Sequence, residues 1–141
     1  MERQLKILLI DDNPQILQFF SAYLEGDGRF IVSTATDGAN GLAAFEAHRP
    51  DCVVIDVAMP TLDGVQLTRA LRGDITSAET ALIMLTAMVQ EQDEIEGLAS
   101  GIDLYMHKPV TPDELIVAIY TAMQRNEDDR ERNLRDLAEG L

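Results

Sequence analysis

Asp56 ends an apolar run, Cys52-Val53-Val54-Ile55, and is followed by Met59-Pro60 and Asp63-Gly64. Asp11 and Asp12 end a second apolar run, Leu5 to Ile10, and Lys108, followed at once by Pro109, ends a third region. Three acids and one lysine at strand ends can converge on one edge of a parallel sheet. Packed together, the acids repel unless a cation joins them. Mg²⁺ suits such a site because it takes carboxylate, carbonyl and water oxygens. It also screens a phosphoryl donor that approaches a carboxylate. An aspartate in that setting can act as nucleophile and become an acyl phosphate. Lys108 supplies a mobile point charge for a phosphoryl oxygen. Thr86 offers a hydroxyl at a fourth strand end, and the Ala87 N–H can support the same oxygen. Singly, each acid reads as a helix cap or a solvated turn; the four strand ends together carry the reading.

The elements that must place these groups follow from periodicity. Leu5 to Ile10 reads as a strand, apolar nearly throughout, as in a sheet covered on both faces. Asn13-Pro14 supplies an N-cap and a first helical residue, and Ile16, Leu17, Phe20 and Leu24 mark one face of that helix. A turn over 25–28 leads to a strand over 30–33. A second helix opens at Asp37-Gly38, runs to about Ala47, and is closed by Arg49-Pro50. Residues 51–55 form the most continuous apolar strand. A short helix over 64–71 precedes a fourth strand over 80–85. An acidic helix over 90–100 ends at Gly101, and a weaker strand covers 102–106. Thr111-Pro112-Asp113-Glu114 then opens the last helix, with Glu114 placed to complete a capping box. Strand and helix alternate five times. This predicts an α/β fold, a doubly wound five-stranded parallel sheet of (βα)5 type with helices on both faces. Ligands of such sheets bind beyond the carboxyl ends of the strands, where the acids and the lysine fall.

Composition narrows the function. The chain has 141 residues, enough for one domain with a core, and 46% of them are apolar but only 5% aromatic. The formal charge of -14, from 25 acids against 11 bases, speaks against a basic nucleic-acid face. Two histidines and one cysteine do not make a zinc cluster. Cys52, in an apolar run, reads as a buried thiol and favours the cytoplasm. No stretch has membrane-spanning length, and the start of the chain does not read as a signal peptide. The segment 125–141 reads as a charged helical tail or the start of a linker to an output domain. Ile116, Tyr120, Met123, Glu127, Arg130, Leu134, Leu137 and Leu141 keep a 4-3 spacing across that junction, although Glu127 and Arg130 weaken it as a coiled-coil seam.

Asp11-Asp12, Asp56, Thr86 and Lys108-Pro109, with Met59-Pro60, Asp63-Gly64 and the stretch Gly101 to Pro109, resemble the signature of the receiver domain of two-component response regulators. The resemblance covers residues 5 to 124, within a domain over 1–124. It implies a flavodoxin-like fold with strand order 2-1-3-4-5 and a chemotaxis-regulator-like switch. It makes Asp56 the acceptor of a phosphoryl group from a histidine kinase or a histidine phosphotransfer protein. Asp12, Asp56 and the backbone carbonyl of Ala58 would bind Mg²⁺, and Asp11 would act through a metal-bound water. Lys108 would pair with the phosphoryl group across a cis bond to Pro109, with the Ala87 N–H beside it. Thr86 would move toward the phosphate and Tyr105 would turn inward behind it. The pair would then report the site's charge on the face of the fourth helix, fifth strand and last helix. That face around Ile95 and Tyr105, with the tail, would be where a homodimer forms. Ala58 and Met88 flank the site, and neither can position a hydrolytic water by hydrogen bonding. His107 and His48 read as structural or surface residues, and Tyr105 read locally is a half-buried strand aromatic.

Two other classes use similar parts. A Mg²⁺-dependent phosphatase or phosphotransferase would use Asp56 as a turnover nucleophile, but Ala58 cannot be its general acid–base, and no cap domain is legible. A flavin- or nucleotide-binding domain would need a glycine- or hydroxyl-rich first loop, and Asp11-Asp12-Asn13-Pro14 is not one. For the receiver reading, self-phosphorylation and autodephosphorylation are the only enzymatic acts. No DNA-binding segment is expected after residue 124, and whether the chain is complete or part of a larger regulator stays open.

Overall fold

The computed structural model describes residues 3–57, 62–87 and 101–140. Five parallel strands form one sheet in the order β2-β1-β3-β4-β5. They are β1 (Leu5–Ile10), β2 (Phe30–Ala35), β3 (Cys52–Asp56), β4 (Ala81–Thr86) and β5 (Leu104–His107). The described helices are α1 (Pro14–Asp27), α2 (Gly38–His48), α3 (Gly64–Gly73) and the long C-terminal helix α4 (Pro112–Glu139). The expected acidic helix over 90–100, with Ile95, lies outside the described residues, as do Ala58, Met59-Pro60 and Met88.

The apolar runs are continuous because the sheet is covered on both sides. Side chains alternate faces along a strand. Ile7, Leu9, Val54, Ile83 and Leu85 pack with Leu17 and Leu24 of α1 and Leu115 and Ile119 of α4. Leu8, Ile10, Val53, Ile55, Leu82 and Met84 pack with Phe45 of α2 and Leu67 and Leu71 of α3. Each fully buried large side chain contributes about 1.5–3 kcal/mol. The edge strand β2 is less covered, and Ile31 stays exposed.

Element ends follow their caps. The Asn13 side chain accepts from the N–H groups of Gln15 and Ile16. The expected turn at 25–28 is shorter than predicted: α1 continues to Asp27 and stops at Gly28, which takes φ 88°. Asp37 caps α2 through Asn40, and Arg49 closes it in the left-handed region at φ 47°. A full capping box holds the start of α3, with Asp63 accepting from the Gln66 N–H and Gln66 accepting from the Asp63 N–H. Thr111 accepts from the Glu114 N–H at the start of α4.

The 4-3 series of α4 is not a free stripe. Ile116 is buried and Met123 packs against the sheet core. Arg130 reaches Glu79 at 3.3 Å; Tyr120 before it and Leu134 and Leu137 beyond it stand exposed. The helix crosses residue 124 without a break.

Candidate functional site

Three strand ends deliver the acids and the lysine to one edge. Asp56 is the last residue of β3, the middle strand, and is buried. Asp11 follows β1 and is buried, while Asp12 beside it is exposed. One carboxylate oxygen from each lies within 4.8 Å of the others. Lys108 follows β5, and its Nζ lies 3.1 Å from Asp11 Oδ2 and 3.4 Å from Asp56 Oδ2. Parallel pairing of β1 with β3 and of β3 with β4 sets this convergence.

The loops around the site are held by backbone contacts. The Asn13 N–H donates to Asp11 Oδ1 at 2.9 Å, and the Asp11 N–H donates to the Ala35 carbonyl at 3.1 Å. The Lys108 N–H donates to the Thr86 carbonyl at 2.7 Å, which ties the end of β5 to the end of β4. The Lys108–Pro109 bond is cis, as the resemblance implies. Gly64 lies so close behind Asp56 that a Cβ there would sit 2.7 Å from the Asp56 carbonyl oxygen. That spacing explains the Asp63-Gly64 pair: the cap needs the acid, and the close approach of α3 excludes a side chain. Beside Asp11 and Lys108, a cavity of about 400 Å³ is lined by Leu9, Leu17, Val54, Leu85 and Leu115.

The electrostatics are those of an acid excess with one internal counterion. Burial works against the Lys108 ammonium, but its hydrogen bond to Asp11 and the nearby Asp56 outweigh this and hold its pKa above the ordinary lysine value. Three carboxylates against one ammonium leave room for a divalent cation, and oxygen donors of this kind suit Mg²⁺. The residues therefore fit a divalent-metal site. Asp12, exposed at the rim, should control entry of the ion. Added Mg²⁺ is expected to shift the backbone signals of Asp11, Asp12 and Asp56 and to raise the unfolding midpoint by linkage. The Asp12→Ala protein should lose most of both effects; a Mg²⁺ affinity equal to wild type would remove Asp12 from the site.

The remaining predicted residues are at neighbouring positions. Thr86 is the last residue of β4 and fully buried, and Ala87 follows it at the surface. Tyr105 is half-buried against the α2–α3 side of the core, with its hydroxyl shielded from solvent. Its ring meets exposed His107 edge-on at 5.4 Å. His48 is exposed at the end of α2. Ala58 lies outside the described residues.

One polar cluster escaped the sequence reading. At the far end of β4 and β5, Arg72 donates to Asp103 Oδ2 at 2.9 Å and to the carbonyls of Gly101, Ala78 and Thr80 at 2.8, 3.0 and 2.6 Å. Asp103 also accepts from the Leu82 N–H at 2.8 Å and from the buried Asn126 at 3.3 Å. Burial raises the Asp103 pKa, against the Leu82 N–H, Arg72 and Asn126, which favour the carboxylate. The cluster joins α3, β4, β5 and α4 and touches none of the site acids.

Known proteins share this arrangement. Residues 7–120 match the response regulator receiver domain. The DNA-binding response regulator MtrA of Mycolicibacterium smegmatis is 36% identical over 124 residues, which cover 88% of this chain and 53% of that protein. The DNA-binding dual master transcriptional regulator RpaA of Synechocystis is 36% identical over 122 residues, covering 86% of this chain and 50% of that protein. The chain thus spans about half the length of these curated relatives. Among solved structures, the chemotaxis response regulator CheY4 of Vibrio cholerae superposes with a TM-score of 0.79 at 31% identity, covering 85% of this chain and 99% of that one. The receiver domain of the Francisella response regulator 1452 gives 0.77 at 36%, with 86% and 98% covered. The cluster of Asp11, Asp12, Asp56 and Lys108 is typical of phospho-accepting members of that group. The chain belongs to the response regulator receiver domain family.

Proposed function

We propose that this chain is a phosphorylation-operated signalling switch of the cytoplasm, in which Asp56 takes a phosphoryl group from a phosphohistidine. The donor is a histidine kinase or a histidine phosphotransfer protein. The observation that carries this reading is the meeting of three carboxylates with the Lys108 ammonium at the carboxyl edge of the sheet. An Asp56 oxygen attacks phosphorus, the P–N bond of the donor breaks, and its electron pair stays on the imidazole. Asp56 suits this role because it ends the central strand, within reach of Lys108 and beside the acid pair. Asp11 is engaged by the Asn13 N–H and by Lys108, and Asp12 faces solvent.

Asp12, Asp56 and the Ala58 carbonyl would hold Mg²⁺, with Asp11 acting through water; bound there, the ion neutralises part of the charge on the incoming group. Lys108 then turns from Asp56 to a phosphoryl oxygen, and the Thr86 hydroxyl and Ala87 N–H serve that same group. Thr86 would move toward that group, and Tyr105 would turn inward behind it. The change would reach the face made by β5 and α4. Residues 1–124 would be the receiver and 125–141 a helical tail leading to a partner or an output domain.

Acetyl phosphate with Mg²⁺ should add one phosphoryl group to the chain, and chelation by EDTA should prevent it. No added mass with either acetyl phosphate or a phosphohistidine donor would overturn the reading. A homodimer through the β5–α4 face and the tail is the finer form of the proposal. Beryllofluoride should then tighten self-association in sedimentation, and a chain ending at Gln124 should respond less. An association constant that beryllofluoride leaves unchanged would refute the dimer while leaving Asp56 as acceptor intact.

A further inference from the structure

β2 ends the strand order, and among the described residues it pairs with β1 alone. The direction of its backbone groups follows from the ends of that ladder. The Leu5 N–H donates to the Arg29 carbonyl and the Asp11 N–H to the Ala35 carbonyl, at 2.9 and 3.1 Å. The N–H and C=O of one strand residue point to the same side, and successive residues alternate. The odd residues from Arg29 to Ala35 therefore turn their backbone groups toward β1. Phe30, Val32 and Thr34 turn theirs to the open side.

An open row of donors and acceptors is a template for another strand, and edge strands are ordinarily guarded by charge, proline, a bulge or shortness. β2 has none of these guards. Its six residues, Phe-Ile-Val-Ser-Thr-Ala, hold no charge and no proline. Its pairing advances one residue at a time from Leu5 with Phe30 to Ile10 with Ala35, without a bulge. Ile31, Val32 and Thr34 are β-branched and favour an extended partner. Ile31 is 48% exposed, although it points to the same face as buried Ala35. The opposite edge strand differs: β5 has four residues and passes at once into Lys108.

The segment is complementary to itself. Turned about a two-fold axis at Ser33, two copies of β2 run antiparallel. Val32 then exchanges both backbone bonds with Thr34 of the second copy, and Thr34 does the same with its Val32. Ser33 meets Ser33 in the close pair between them, and Ile31 lies across from Ala35. At both ends Arg29 comes opposite Asp37, so the pairing sets base against acid. An axis at Val32 would instead set Asp27 against Asp37, which disfavours that register.

We propose that β2 is a self-association edge, where a second copy of this chain adds its own β2 in antiparallel register about Ser33. The two sheets then continue as one through an isologous interface. The edge lies across the sheet from β5 and leaves the β5–α4 face clear. It needs no phosphoryl group, so its failure would leave Asp56 as acceptor untouched.

The test uses the full chain in EDTA with no phosphoryl donor. Sedimentation should show a monomer–dimer equilibrium. The dimer should tighten as salt rises from low to physiological strength, because each copy carries a net charge of -14 that salt screens. Amide hydrogen exchange should slow at Val32 and Thr34 as protein concentration rises, while Ile31 and Ser33, which face β1, keep their rates. Ile31→Lys puts a charge on the edge, and Thr34→Pro removes an outward N–H without removing a bond to β1. Each should weaken the dimer by about tenfold or more. Thr34→Val keeps the N–H and should associate as wild type does. All three should keep a cooperative urea transition. A chain that stays monomeric at millimolar concentration, or a dimer that Ile31→Lys and Thr34→Pro leave as tight as wild type, would overturn the proposal. So would protection of Val32 and Thr34 that appears only when a synthetic strand peptide is added, since the edge would then serve a segment of a partner.

Discussion

Incubated with acetyl phosphate and Mg²⁺, the wild-type chain is expected to gain the mass of one phosphoryl group, and the Asp56→Ala chain none. The size of the effect follows from geometry. Asp56 is the acid that ends the middle strand, and Lys108 stands 3.4 Å from its carboxylate, where it can follow the charge onto a phosphoryl oxygen. Asp11 is a poor substitute because the Asn13 N–H and Lys108 already occupy its oxygens. Asp12 is exposed and lacks that lysine contact among the described ion pairs. Loss of labelling in Asp56→Ala would not reflect unfolding. The change removes one of three mutually repelling acids and leaves Lys108 its contact with Asp11, so the unfolding midpoint should hold or rise. Asp12→Ala should retain the acceptor but label slowly at limiting Mg²⁺. Equal labelling of wild type and Asp56→Ala would place the nucleophile elsewhere.

Much of this is legible in the sequence. The strands β1 and β3 announce themselves as unbroken apolar runs because both faces of the sheet are covered, and Asp11 and Asp56 stand where those runs stop. Asn13-Pro14 and Thr111-Pro112 mark helix starts through their own short-range chemistry. Element ends were read less well where tertiary contacts decide them. β2 extends to Ala35 because it pairs with β1 as far as Ile10, a partner that local sequence cannot name. β5 runs from Leu104 to His107 rather than from 102 to 106, because its pairing with β4 runs from Ile83 to Thr86, a partner that local sequence cannot name. The 4-3 series along α4 misled in a different way. Core-facing and partner-facing positions have the same period, and burial of Ile116 and Met123 shows that the first half belongs to the core. Of its apolar positions Tyr120, Leu134 and Leu137 are exposed among the described residues, and Tyr120 is engaged by Phe30 and Arg29.

Arg72 was invisible for a related reason. An arginine in the last turn of an amphipathic helix reads as a solvated charge, and its partner Asp103 lies 31 residues away. Yet replacing it is expected to have the largest stability effect of any single charged residue discussed. Arg72 makes three bonds to carbonyls and one to Asp103, whose side chain is only 6% exposed. Arg72→Ala would leave that carboxylate with the Leu82 N–H and Asn126 alone. Breaking one partner out of a buried pair costs about 3–5 kcal/mol. The cost should vary with pH in a defined direction. Burial already raises the Asp103 pKa, so folding favours its protonated form, and its contribution falls as pH rises through the folded value. Without Arg72 the pKa rises further. The deficit should therefore be greatest near neutral pH and shrink as the medium is acidified toward the ordinary carboxylate range. Urea unfolding of wild type and Arg72→Met across that range measures it directly, since Met restores part of the stem's packing without the charge. Adding Asp103→Asn to Arg72→Met should recover stability at neutral pH, because the stranded charge is then gone. A deficit that does not change with pH, together with no recovery in the double variant, would mean that Arg72 acts through its carbonyl bonds to the 78–80 loop and Gly101, with its charge on Asp103 contributing little.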